Sequence, residues 1–529
     1  MTQLSPWAET IFKRTYAFDD NETWEGCANR VSDTVANDYD QKKRFFNLIN
    51  DRIFIPGGRY LFSSGREIFA NSNCYGFMAQ DSREGWAGLL HDVTLCLSTG
   101  GGLGVNYSEV RERGSRIGRL GGTATGPTAL MQMVNEVARH VYAGQRRSAL
   151  WAGLHWKHPD IYEFLTIKDW DDNIKQMKSL HFNYPAPLDM TNISVIIDND
   201  YLHQLADKNP HVMALHADIC ERMTRTGEPA FRNESRIFED DPGAITGNAC
   251  QEATLHDNDN CNLGSIVMPR ILNINHLIEV TQTATEFLYN GSVKATYPTG
   301  SIGAVAHRLR RIGMGIMGLH EWMIMHGTNY RWTSELEEWM NIWKLTSDES
   351  ARSYARKLRG NVPITTRAIA PTGTISIIAE TTSGIEPMFC KAYKRRYIDK
   401  MDHKFQYVID PVADRLHKHG HSIDDIEDAY ELSTSVTRRL DVQSNVQRYV
   451  DQAISNTINL PAHEEYKHMN EHISSCITEN MHSLKGVTCY PDGARSGQPL
   501  TSVNWEEAYE NQGKIFEQSG DCAAGGCGL

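Results

Sequence analysis

The sequence predicts an α/β fold with a largely parallel sheet, from two observations. Short apolar stretches such as "NISVIID" (192–198) and "RAIA" (367–370) alternate with longer amphipathic segments, which is how βα units read in a sequence. The composition, 40% hydrophobic and 22% charged over 529 residues, is that of an ordinary globular chain.

The elements follow in order. Residues 1–50 read as a helical N-terminal region. "PTALMQMVNEVARHVYAG" (127–144) reads as a helix opened by Pro127 after Gly126 and closed by Gly144. "GMGIMG" (313–318) matches a dinucleotide fingerprint, which should follow a strand and open a helix. The preceding "AHRLRRI" is no strand, so these glycines are expected to serve tight helix packing instead. "ELEEWMNIWKLTSDESARSYARKLRG" (335–360) reads as a long amphipathic helix or helix pair. "SNVQRYVDQAISNT" (444–457) reads as a helix stopped before Pro461. From Ser496 the chain is polar and then Gly-rich, the pattern of a mobile tail.

Net charge is −13, from 53 basic and 66 acidic residues, which argues against direct nucleic-acid binding or a membrane surface. No apolar run approaches the roughly 18–20 residues of a membrane span, and the start lacks a signal-peptide core. A cytoplasmic protein is expected. Its eleven cysteines then read as thiols, and any disulfide as catalytic.

The chemistry concentrates in "GNACQEATLHDNDNCNLGSI" (247–266). In an extended strand Asn248, Cys250 and Glu252 share one face. A lone cysteine reads as a small buried hydrophobe, but a carboxylate two residues away needs a partner if buried. A thiyl radical could abstract hydrogen from carbon, a carboxylate accept a hydroxyl proton, and an amide orient that hydroxyl. Cys261 and, far upstream, Cys74 supply further thiols; two thiols together deliver two electrons and two protons. "GDCAAGGCGL" closes the chain with Cys522 and Cys527, spaced C-x4-C. Zinc would need further ligands, so no metal is expected, and a flexible dithiol shuttle explains the pair better. "APTGTIS" (370–376) suggests a turn opening a helix, where free N–H groups bind phosphate. "STGGGLGVNYSEVRERGS" (98–115) clusters glycines that let backbone approach a ligand.

In this order, N-x-C-x-E at 248–252, "CNLGSI" (261–266), "PTGTIS" (371–376), "GIEP" (384–387) and the terminal C-x4-C resemble the catalytic chain of ribonucleotide reductase. "HPDIYEFL" (158–165), "DQAISNTINLP" (451–461) and "KGVTCYPDGAR" (485–495) add to the match. The resemblance implies a ten-stranded α/β barrel of two five-stranded parallel halves over 51–495. The helical region 1–50 precedes it, and a redox-active tail, 496–529, follows. Cys250 sits on a loop inside the barrel. It implies that Cys250 is the thiyl radical, that Glu252 is the base at the 3′ hydroxyl, and that Asn248 bonds the sugar. Cys74 and Cys261 reduce the 2′ carbon and end as a disulfide. Cys522 and Cys527 regenerate them, with thioredoxin or glutaredoxin behind. Gly102, Pro371, Thr372, Gly373, Thr374 and Ser376 hold the ribonucleotide. Asp81, Arg116, Gln145, Arg146 and Arg147 fall where deoxynucleotide or ATP effectors act. Members with a separate radical subunit carry adjacent tyrosines near the C-terminus; here Cys489 precedes a single Tyr490. That break, and "KGVT-Y-DG-R", resemble the adenosylcobalamin-dependent class, as either a homodimer or a minimal monomer. Two alternatives stand beside it: the same reaction with a ferritin-like radical subunit, and an inactive nucleotide-binding redox sensor.

Overall fold

The computed structural model describes residues 3–118, 121–141, 149–181, 184–399, 402–463, 468–493, 500–512 and 514–517. The expected helical N-terminus is three helices, α1 (Pro6–Thr15), α2 (Trp24–Val35) and α3 (Tyr39–Asn50). Each starts at an oxygen-bearing cap: Ser5, Thr23 and Asp38 accept from the N–H groups of Ala8, Gly26 and Gln41, which satisfies donors the first turn leaves open. Their apolar faces, through Phe12, Trp24 and Phe45, join one core with the strands behind them.

Five strands follow in parallel: β1 (Cys74–Met78), β2 (Gly102–Asn106), β3 (Leu150–His155), β4 (Thr191–Ile197) and β5 (Ala230–Asn233). Helices cross between them, Arg83–Ser98 and Pro127–His140 among others, as parallel pairing requires. A second parallel run comprises β6 (Asp259–Val267), β7 (Ile312–Met317), the bridging segment 366–369, β8 (Thr457–Leu460) and β9 (Gly486–Pro491). In it Met314 bridges Arg367, and Ile369 bridges Ile454. The two runs meet antiparallel twice, β1 on β6 and β5 on β9. The ring therefore closes as the expected ten-stranded barrel of two five-stranded halves.

Between β5 and β6 a hairpin, Thr246–Gly247 paired with Thr254–Leu255, forms a finger. Its Ala253 and Leu255 pack on Cys261, Leu263 and Ala368 inside the ring. The barrel wall is thinned to admit it. A β-carbon at Gly104 would lie 2.3 Å from the Gly247 carbonyl oxygen, and one at Gly76 would lie 2.7 Å from the Thr246 side chain.

Several expectations change. "GMGIM" (313–317) belongs to strand β7, buried throughout; Gly313 and Gly315 make room for Cys261 and the Ala368 carbonyl rather than for a helix. Interior parallel strands read as continuous apolar runs, which hid this one. The helix placed at 444–457 is Val436–Gln447. Beyond it, Gln452, Ala453 and Ser455 hydrogen-bond to the 366–369 segment or the finger, so ladder partners override local propensity. Helix 127–144 ends at His140. The tail does not begin at Ser496. Leu500–Ser502 and Ile515–Glu517 pair with the hairpin Ala392–Asp399/Asp402–Ile409, and Trp505–Asn511 is helical.

Gly104→Ala is expected to destabilise the fold by about 1–3 kcal/mol through overpacking and to displace the finger. Gly88→Ala, where nothing lies within 4 Å of the new carbon, is the control and is expected to be neutral or slightly stabilising. Denaturant midpoints of the two variants check this.

Candidate active site

The finger tip carries the three residues singled out in the sequence. Asn248 accepts the Ala253 N–H on Oδ1 at 3.0 Å, and its backbone carbonyl accepts the Gln251 N–H at 3.0 Å. Gln251 sits at φ 65°, a left-handed conformation that costs a non-glycine residue energy and persists where surroundings hold it. They do so from both halves of the barrel. Asn192 of β4 donates to the Ala249 carbonyl at 3.2 Å, and the Ala453 N–H donates to the Glu252 carbonyl at 2.9 Å. The trio thus converges at a loop tip, not along a strand.

A cavity of about 250 Å³ opens before this tip. Cys74, Cys250 and Glu252 line it, with Gly102, Pro371, Thr372, Gly373 and Thr374. Asn248 and Cys261 are fully buried behind that wall. Cys74 and Cys261 are directly opposed in the β1–β6 ladder, where β-carbons lie about 4.5–5.5 Å apart, a separation from which a disulfide needs little movement. Asn248 Nδ2 donates to the Cys74 sulfur at 2.9 Å.

Burial sets the electrostatics. It pushes the Cys74, Cys250 and Cys261 thiols up, with the Glu252 charge adding to each, so the resting sulfurs are protonated. Cys250 is nonetheless exposed to the cavity, whereas the other eight described cysteines are buried. Burial likewise pushes the Glu252 carboxyl up to about 7, against the lowering effect of its Asn248 hydrogen bond. Its Oε2 is buried without a hydrogen-bond partner among the described residues.

The finger base is clamped by charge. Arg311, just before β7, reaches Asp241 and Asp259 at 2.7 Å each, all three within 1% of full burial. His256 reaches Asp241 at 2.8 Å. Burial would raise Asp241, but His256 and Arg311 hold it down at about 2.

The segment after the bridging strand opens helix Gly373–Ala379, as expected, with Thr372 at φ 53°. The Thr372 Oγ1 accepts the Gly384 N–H at 2.9 Å. Ser376 turns away from the cavity, its hydroxyl 3.3 Å from the Gly373 carbonyl and 3.0 Å from Ser383. Asp81 lines a separate cavity of about 230 Å³, near the antiparallel bridge between Arg116 and Thr123, and it pairs with Arg111 at 2.7 Å. Gln145, Arg146, Arg147, Cys522 and Cys527 lie outside the described residues.

Sequence reasoning missed two cavity residues. Tyr16 caps the C-terminus of α1 and its hydroxyl bonds Thr374; nothing in a helical pattern marks such a reach. Arg59, buried in the wall, stood in a quotable stretch, "PGGRY" (56–60), without a charged neighbour to single it out.

The comparisons agree with this geometry. The family model for the ribonucleotide reductase barrel domain matches residues 72–210, 197–347 and 357–490, and the model for the all-alpha domain matches residues 2–68. The chain therefore belongs to the ribonucleotide reductase family, and it catalyses reduction of ribonucleotides to deoxyribonucleotides. A vitamin B12-dependent ribonucleoside-diphosphate reductase of Mycobacterium tuberculosis is 28% identical, over 92% of this chain and 76% of the relative. The enzyme of that name from Thermoplasma acidophilum is 24% identical, over 97% and 74%. In structure, the class Id ribonucleotide reductase alpha subunit of Actinobacillus ureae superposes with a TM-score of 0.75 at 16% identity, over 93% of this chain and 97% of that one; it attests the fold.

Replacing Arg311 with Met is expected to cost about 3–5 kcal/mol, because two buried carboxylates lose their cation. The loss should shrink as pH is lowered and the abandoned carboxylates protonate. Denaturation at neutral and acid pH measures both parts.

Proposed function

We propose that this chain is an adenosylcobalamin-dependent ribonucleotide reductase that makes its radical without a second subunit. The observation that carries the reading is Cys250: its thiol faces a cavity that also holds Glu252 and the Cys74 sulfur, and it is the exposed cysteine among those described. A radical-generating group must reach that sulfur, and Gly100, Gly101 and Gly102 line the same cavity without side chains to obstruct it. When bound, the cofactor supplies the one-electron oxidation of the Cys250 thiol. The relatives named above as vitamin B12-dependent support it. So does the single Tyr490, preceded by Cys489, where members with a radical subunit carry adjacent tyrosines.

The chain's own residues do the rest. Cys250 takes the 3′ hydrogen and later returns it. Glu252 accepts the 3′ hydroxyl proton, and Asn248 holds the sugar and the Cys74 sulfur together. The 2′ carbon–oxygen bond breaks and water leaves. Cys74 and Cys261 supply two electrons and two protons and close a disulfide. Thr372, Gly373 and Thr374 cradle the phosphates with backbone N–H groups, and the tail thiols Cys522 and Cys527 re-reduce the disulfide with thioredoxin or glutaredoxin. Asp81, Arg116 and the 145–147 loop receive nucleotide effectors. A homodimer would bring such effector sites together.

Cys250→Ser is expected to abolish deoxynucleotide formation while nucleotide binding, followed by equilibrium dialysis, persists. Appreciable turnover by that variant contradicts the assignment.

Glu252 acts as a base only when ionised, and burial places its titration at about 7. The rate of prereduced holoenzyme should therefore rise with pH through that value. Glu252→Gln should lose the rising limb together with most of the rate, as a pH–rate profile would reveal.

A further inference from the structure

Helix Gly373–Ala379 begins in the wall of the active-site cavity, at Gly373 and Thr374. Its other end is unusual. Helices commonly finish on a glycine in the left-handed conformation, which satisfies the last carbonyls. Here Glu380 takes that conformation, at φ 58°, and arginines take the carbonyls. Arg52 donates to the Ile378 carbonyl at 3.1 Å, Arg270 to the Ala379 carbonyl at 2.8 Å, and Arg415 to the Glu380 carbonyl at 2.7 Å. Three consecutive carbonyls thus hold three guanidiniums from separate parts of the chain. Arg52 follows α3, Arg270 ends a short turn after β6, and Arg415 lies on helix Pro411–Lys418.

Each guanidinium is itself anchored. Arg52 also donates to the Glu380 carboxylate at 2.9 Å, Arg270 to the Asp51 carbonyl at 2.6 Å, and Arg415 Nε to the Glu321 carboxylate at 3.1 Å. The crowding is unfavourable in itself: burial, then the like charges of Arg52 and Arg415, push the Arg270 guanidinium down to about 10. A single glycine would end the helix without it. The N-terminal region ties the same helix at both ends. The Ser5 N–H donates to the Glu380 carboxylate at 3.1 Å, and the Tyr16 hydroxyl bonds Thr374.

The carbonyl end bears on the cavity in two ways. Seven residues put it about 10 Å from Gly373, so cations there offset the negative pole that would oppose an anion at the first turn. The hydrogen bonds also fix the helix axis, and with it where Gly373 and Thr374 stand in the cavity wall. We infer that Arg52, Arg270 and Arg415 are positioning residues for the substrate phosphates, holding the first turn of helix Gly373–Ala379 in place before Cys250. This rests on the phosphate-cradle reading of Thr372–Thr374 given above. None of the three arginines lines the cavity, so they act through the helix and not by touching substrate.

The test compares two ligands on one protein. Equilibrium dialysis measures the affinity for a ribonucleoside and for its 5′-diphosphate, with effector sites saturated by a deoxynucleotide. Wild type is expected to bind the diphosphate more tightly. Arg415 is 35% exposed, and Arg415→Gln can still donate to Glu321. That variant should weaken diphosphate binding about fivefold and leave nucleoside binding unchanged. Arg270→Met should repeat the loss. Arg415→Lys, which keeps the cation and a donor, should restore most of it. In turnover by the holoenzyme the loss should fall on KM, with kcat little changed. A purely structural role would instead weaken both ligands together. That result, or diphosphate affinity unchanged in both Arg415→Gln and Arg270→Met, overturns the inference. A wild type that binds nucleoside and diphosphate equally overturns the cradle reading itself, and the inference with it.

Discussion

The structure depends on one insertion: a hairpin threaded into the interior of a closed barrel. Barrel interiors are normally filled by side chains. Here Gly76 and Gly104 vacate that space, and the Thr246–Leu255 finger fills it with backbone. Because the two half-barrels run antiparallel, the entry ends of β1 and β2 and the exit end of the bridging segment share one mouth. That places Cys74 and Gly102 beside Pro371–Thr374. The cavity is thus a consequence of strand direction, and Cys250 reaches it only because the finger is there.

Burial then does chemical work in two ways. It lifts Glu252 to about 7, where a carboxylate can take and return a proton near neutrality. It also keeps the sulfurs protonated, so the dithiol holds its hydrogens until a radical is present. The same burial would be ruinous at the finger base without compensation. Arg311 between Asp241 and Asp259 supplies that compensation, and the network spends a buried cation on orientation rather than on packing.

Much of the site was legible in the sequence, because its chemistry needs particular atoms at fixed spacing. Asn248, Cys250 and Glu252 could be singled out from three alternating positions, and Cys74 and Cys261 from thiol arithmetic together with the family pattern. The barrel itself came through that pattern, not through periodicity: a buried strand such as Ile312–Met317 carries no alternation and was mistaken for packed helix. Residues 452–456 were misread as helix because their partners lie 80 or more positions away. Tyr16 stayed invisible for the same reason, since its hydroxyl reaches Thr374, far along the chain. Ser376 fits the phosphate motif by spacing, yet its hydroxyl points to Ser383.

The account stands on Cys74 and Cys261 being the electron source that the finger brings to the substrate. The most direct measurement is peptide mapping of prereduced Cys522→Ser/Cys527→Ser holoenzyme, whose tail cannot re-reduce the pair, quenched after a single turnover without external reductant. The account predicts one Cys74–Cys261 disulfide for each deoxyribonucleotide formed. Deoxyribonucleotide accompanied by two free thiols at these positions would contradict it.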